Sequence, residues 1–152
     1  SWIAVNAQAN AGNYGFNSIQ RYHDIQFATL NGQEANLESR RRHTVFESYI
    51  PELLETLGAH SILVTQGASG LDLFRQGGDV YHAPALAPYV TDRVGAGDAV
   101  LAVTALLARV GAPPAVIGFV GNLVGAWAVS FLGNTHAIEL GTLKKQVIST
   151  LK

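Results

Sequence analysis

Thr91-Asp92-Arg93-Val94-Gly95-Ala96-Gly97-Asp98 runs straight into an apolar helical pattern, and this stretch decides how the chain reads. Gly95 and Gly97 let the backbone turn tightly and approach a ligand that a Cβ would hold off. The helix that follows opens with unpaired N–H groups and about half a positive charge at its N-terminus. A terminal phosphate is stabilised in such a place. Asp98 sits beside it, within reach of the proton of an attacking hydroxyl. The same letters also fit a plain turn with Asp98 as helix N-cap. A dinucleotide fingerprint is excluded, because Val100 stands where the third glycine belongs. The chain has no Gly-Lys pair, and therefore no Walker A loop.

Upstream pieces extend the pattern. Asp92-x-x-Gly95-Ala96-Gly97-Asp98 resembles the D-T-x-G-A-G-D signature of the PfkB/ribokinase-like carbohydrate kinases. Asn31-Gly32-Gln33-Glu34 resembles that family's N-x-x-E magnesium motif. Val64-Thr65-Gln66-Gly67-Ala68-Ser69-Gly70 resembles its T-x-G-x-x-G nucleotide loop. The three occur in the family's order, and the resemblance covers nearly the whole chain, but only the C-terminal half of such a kinase. Arg93 departs from the family, which has threonine there. An arginine either pairs with phosphate in a bidentate manner or points to solvent.

The resemblance implies a ribokinase-like three-layer α/β sandwich lacking its sugar-binding N-terminal half and lid. It implies transfer of the ATP γ-phosphoryl group to a hydroxyl of a sugar or sugar phosphate. Asp98 is then the general base, and the N–H groups of Gly95, Ala96 and Gly97 form the anion hole. Thr65, Gly67, Gly70, Asp92, Arg93 and Asn122 fall on the ATP side. Asn31 and Glu34 hold Mg2+, largely through water, because that ion keeps several of its own. The stretch from Val5 to Asn17 resembles kinase domains joined to a sugar-nucleotide transferase, similar to the heptose-phosphate kinases. Read without the family, Glu34 is an acid at a helix start and Thr65-Gly67-Gly70 a strand-end turn. A nucleotide-binding module that senses or scaffolds is the alternative function, and Arg93 is the feature pointing to it.

Composition bounds these readings. At 152 residues the chain suits one domain spanning its whole length. It is 48% hydrophobic and 14% charged, so the surface is short of charge, which points to a missing partner or missing chain. The expected partners are the N-terminal half of the kinase and, at an open sheet edge or face, a second copy. A net charge of −1 gives no footprint for nucleic acid. With no cysteine there is no thiol catalysis, and the cytoplasm is the expected location. The chain begins at Ser1 with no signal peptide, and an excised domain or initiator removal fits equally. The five histidines, at 23, 43, 60, 82 and 136, never fall at ligand spacing. Gly67-Ala68-Ser69-Gly70-Leu71 misses a serine-hydrolase elbow by one position.

Val110 to His136 carries no Asp, Glu, Lys or Arg and approaches the length of a spanning helix. Asn122 and the glycines at 118, 121 and 125 argue for a helix buried in a globular domain.

Periodicity supplies the remaining elements. Strands are expected at Trp2 to Val5, Ile25 to Leu30, Ser61 to Thr65, Leu71 to Arg75 and Val80 to Ala83. Helices are expected at Gly15 to Tyr22, with Phe16, Ile19 and Tyr22 inward, at Gln33 to Arg41 and at Val45 to Leu57. Others follow at Gly97 to Arg109, buried on all sides with Leu101 and Leu106 in the core, and at Leu143 to Leu151. Asn6, Asn10, Asn13 and Asn17 fit turn and cap chemistry slightly better than a polar ligand lining at a strand end.

Overall fold

The computed structural model describes residues 1–9, 12, 14, 16–43, 45–86, 95–130 and 139–151. Five strands form one sheet in chain order: β1 (Ala4–Asn6), β2 (Phe27–Asn31), β3 (Ser61–Thr65), β4 (Leu71–Arg75) and β5 (Val80–Ala83). β1, β2 and β3 run parallel, while β4 and β5 are antiparallel to their predecessors. The connections dictate this: parallel neighbours need long crossovers, whereas a tight turn yields a hairpin. Residues 7–26 and 32–60 are such crossovers, and Gln66–Gly70 and Gln76–Asp79 are the turns.

Each strand alternates its side chains between two helical layers. On one face Ala28, Leu30, Ile62 and Phe74 pack with Ile50 and Leu53 of helix α2 (Phe46–Leu57). On the other, Phe27, Leu63 and Leu73 meet Val100 of α3 (Ala96–Arg109) and Val124 of α4 (Pro114–Ala128). The sheet is therefore buried on both sides, which explains strands that read as continuous apolar runs. Helix α1 (Gly32–Glu38) follows β2, and α5 (Leu140–Thr150) closes the described chain. The expected α/β sandwich is present.

The strands β3, β4 and β5 take the expected limits, and Gly58 ends α2 in the left-handed conformation, φ 62°. β1 starts two residues later than expected. The helix expected over Gly15 to Tyr22 shrinks to a single 3-10 turn, Ile19–Arg21. Its cause is tertiary. Ser18 Oγ and the Ile19 N–H both donate to the Glu38 carboxylate, at 2.7 and 2.8 Å. Ser18 Oγ also accepts from the Gln20 N–H, capping the turn there. Ile19 is buried, but Phe16 and Tyr22 are exposed. Helix α1 stops at Glu38 because Arg40 takes a left-handed backbone, φ 55°.

A larger correction concerns α3. Only Val100 and Thr104 are fully buried in it, and Leu106 is 67% exposed. An all-round apolar pattern shows that a helix can be enclosed, and among the described residues nothing encloses the outer side of this one. No described helix is long and apolar enough to cross a membrane. Helix α4 instead packs on β4, β5 and α3.

Candidate functional site

Because β1, β2 and β3 are parallel, their last residues share one sheet edge. Those residues are Asn6, Asn31 and Thr65, with Asn31 directly opposite Thr65. Helix α3 begins at the same edge, where Asn6 Nδ2 donates to Asp98 Oδ1 at 2.8 Å. Gly95 occupies the cap position of α3 in the left-handed conformation, φ 79°, which a side chain would resist. The cap offers no side-chain hydrogen bond, and the Gly95 carbonyl accepts from the Ala99 N–H at 3.1 Å. The N–H groups of Ala96, Gly97 and Asp98 thus start the helix with no acceptor inside it. Asp98 is not the N-cap. It is the third helical residue, exposed, and its carboxylate crosses to β1.

Beside this corner opens a cleft of about 660 Å³, a size that suits a small-molecule ligand. Asn31, Thr65, Gly67 and Gly70 line one wall, and Ala96, Gly97 and Asn122 line the other. Phe46, Leu86, Ala126 and Val129 add apolar surface to its lining. The three separate motifs therefore converge on one space. Asp92 and Arg93 lie outside the described residues.

The loop after β3 is closed by its own backbone. The Gln66 N–H donates to the Gly70 carbonyl at 2.8 Å, and the Gly70 N–H donates to the Gly67 carbonyl at 3.1 Å. Gly70 has φ 94°, and a Cβ there would stand 2.1 Å from the Ala83 carbonyl oxygen. The loop is also moored to the sheet, since Gln66 Nε2 donates to Asp72 Oδ2 and Asp72 Oδ1 lies 2.6 Å from His82 Nδ1. Thr65 Oγ1 reaches the Leu30 carbonyl only at 3.5 Å.

Asn122 ties α4 to the sheet. Its Nδ2 donates to the carbonyls of Ala83 and Pro84, at 3.0 and 2.9 Å, stitching α4 to the end of β5. The residue remains on the cleft wall with its amide nitrogen already engaged.

Asn31 and Glu34 form a reciprocal capping box at the start of α1. The Glu34 carboxyl is raised above its usual range, chiefly by burial. Backbone N–H groups of Asn31 and Ala9 pull it down, and the negative charges of Asp98 and Glu38 push it further up. Glu34 opens onto a small pocket of about 100 Å³ next to the cleft, shared with Asn17 and Glu38. Among the described residues no three His, Asp or Glu gather as a metal cage. A half-buried carboxylate crowded by like charge still fits Mg2+, which binds through one or two carboxylates, its own water and phosphate oxygens.

The residue that sequence reasoning undervalued is Asn6. Its place at a parallel strand end was the available signal, but the run of asparagines around it favoured turn chemistry. Phe46, the first residue of α2, is half-buried and also lines the cleft.

The fold and the edge site together define the class, a ribokinase-like α/β sandwich. Phosphofructokinase-2 from Escherichia coli, solved in complex with substrates and products, matches 99% of this chain and 48% of its own, with TM-score 0.75 and 16% identity. Ribokinase from Arabidopsis thaliana, complexed with ribose and ATP, matches 81% of this chain and 41% of its own, with TM-score 0.67 and 21% identity. The pfkB family carbohydrate kinase profile matches residues 16–139, and the chain belongs to that family. The bifunctional protein HldE of Citrifermentans bemidjiense is 31% identical over 122 residues, which is 78% of this chain and 25% of the relative. The chain thus spans about a quarter of the length of that relative.

Proposed function

We propose that this chain is the nucleotide-binding and catalytic-base half of an ATP-dependent carbohydrate kinase. The observation that carries the reading is the corner at Gly95–Asp98. A helix start without a side-chain cap stands beside a carboxylate held to the end of β1, and Ala96 and Gly97 of that start line a cleft whose size suits a small-molecule ligand. Family membership and the ATP-bound ribokinase of the same fold support it.

In this reading the N–H groups of Gly95, Ala96 and Gly97 face the γ-phosphoryl group, where fixed dipoles offset the charge that develops on its oxygens. The acceptor hydroxyl gives its proton to Asp98 while its oxygen displaces ADP from phosphorus, a role worth roughly 10²–10⁴-fold in rate. Gly67 and Gly70 shape the nucleotide loop that Thr65 begins. Apolar lining of the cleft, such as Phe46 and Leu86, takes the base, and Asn122 ties α4 to the end of β5. Asn31 and Glu34 would hold Mg2+, which would supply charge neutralisation at the phosphates. Asp92 and Arg93 complete the phosphate side.

The acceptor is a sugar or sugar phosphate, and a heptose phosphate is the reading that the resemblance to heptose-phosphate kinases and the likeness to HldE support. Its binding surface is expected in the rest of the kinase, since the chain spans about a quarter of the length of the relative. The chain alone therefore binds ATP and turns over poorly. A reaction that consumes ATP fits the cytoplasm, where ATP is made and held.

A structure with an ATP analogue and Mg2+, paired with turnover assays of the parent protein on a panel of sugars and sugar phosphates, tests the proposal. The terminal phosphate should contact the Gly95–Gly97 amides. Nucleotide bound elsewhere, or efficient turnover by the 152-residue chain alone, overturns it.

A further inference from the structure

The polar group that meets the Asp98 carboxylate comes from 92 residues away. Asn6 ends β1, and backbone pairing of Ala4, Val5 and Asn6 with Phe27, Ala28 and Thr29 fixes that strand end. Asp98 has no comparable anchor on its own helix. It is exposed on the first turn of α3, and among the described residues its one hydrogen bond is to Asn6. An exposed aspartate without a partner moves among staggered rotamers. The amide donates to an ionised acceptor, and such bonds are shorter and stronger than neutral ones. A base acts only when its lone pair faces the proton, and a displacement of about 1 Å costs on the order of 10²-fold in rate.

We propose that Asn6 is a positioning residue that locks Oδ1 of Asp98 to the end of β1, keeping Oδ2 turned toward the acceptor hydroxyl. The role rests on the kinase reading of Asp98, whereas the hydrogen bond itself does not. The carboxylate is thereby fixed against the sheet edge that also carries Asn31 and Thr65, and not merely against a helix that can rotate.

Asn6→Asp is the informative variant, because it keeps shape and packing, cannot donate when ionised and adds like charge. Asn6→Ala, Asp98→Asn and the double variant complete a cycle in the parent protein, with thermal midpoints confirming that each folds. Asn6→Asp and Asn6→Ala should lower kcat by roughly 10–100-fold and leave KM for ATP unchanged. Asn6→Ala should add no loss to Asp98→Asn, as expected for residues acting as a unit. The side-chain amide resonances of Asn6 should also move when Asp98 becomes Asn, a signature independent of turnover.

Wild-type kcat in Asn6→Asp, an equal loss from Asn6→Ala in both backgrounds, or unmoved Asn6 amide signals would each overturn the positioning role. An Asp98→Asn variant that keeps full turnover instead removes the base assignment, and the positioning role with it. A shifted amide signal in that case still shows the contact, so the two failures are distinguishable.

Discussion

Asn31 and Glu34 satisfy each other at the mouth of the cleft: Asn31 Oδ1 accepts the Glu34 N–H at 2.9 Å, and Glu34 Oε2 accepts the Asn31 N–H at 2.8 Å. A motif that resembles a magnesium signature is thus also a helix cap. Both roles draw on the same feature, a carboxylate held at a fixed place by backbone, so one does not exclude the other.

The two roles separate by substitution. Asn31→Ala or Glu34→Ala removes half of the box and should each lower stability by about 1 kcal/mol, read by denaturant unfolding. Glu34→Gln keeps a side chain that completes the box. It should stay near wild-type stability at pH 4 while demanding more Mg2+ for turnover. A Glu34→Gln enzyme with an unchanged Mg2+ requirement contradicts the metal role and leaves the cap intact.

The raised Glu34 carboxyl has a definite sign in stability. Its folded-state pKa lies above the ordinary value of 4.5, so the folded chain holds the proton more tightly than the unfolded chain. This contribution is present below pH 4.5 and disappears as pH rises through the folded value. Without divalent ions, Glu34→Gln should therefore gain stability relative to wild type between pH 4 and pH 7. Paired unfolding curves in EDTA measure it, and a relative loss over that interval contradicts the burial argument.

Two glycines of the nucleotide loop should respond differently to alanine. At Gly70, with φ 94°, the new Cβ meets the Ala83 carbonyl. The backbone conflict should cost about 2 kcal/mol or more in stability. At Gly67, φ is 58° but the space beyond is open, so strain alone applies, about 1 kcal/mol. Thermal melts should place Gly70→Ala well below Gly67→Ala. An equal effect would mean that the close approach to β5 is relaxed in solution.

The parts legible in the sequence were those fixed locally. β3, β4 and β5 are apolar runs punctuated by glycine turns, and α2 is an apolar stripe ended by Gly58, so neighbours in sequence set their limits. The parts that escaped depend on distant partners. Glu38 unwinds the helix expected before Tyr22, because its carboxylate captures Ser18 and Ile19. The exposure of the outer side of α3 was not legible, because periodicity reports which surface is apolar, not what lies against it. Asn6 could not be assigned to Asp98 from spacing, since only the fold brings β1 and α3 to one edge. Asn122 lines the cleft, but its bonds to Ala83 and Pro84 were invisible in the letters.

Asp98→Asn in the parent protein addresses the central claim most directly, with turnover and ATP affinity measured on the same sample. Turnover should fall by roughly 10²–10⁴-fold, while the Kd for ATP stays level or tightens, because a negative charge near the phosphates is gone. Turnover at the wild-type level, or ATP binding lost together with activity, would contradict the assignment of this carboxylate as the base.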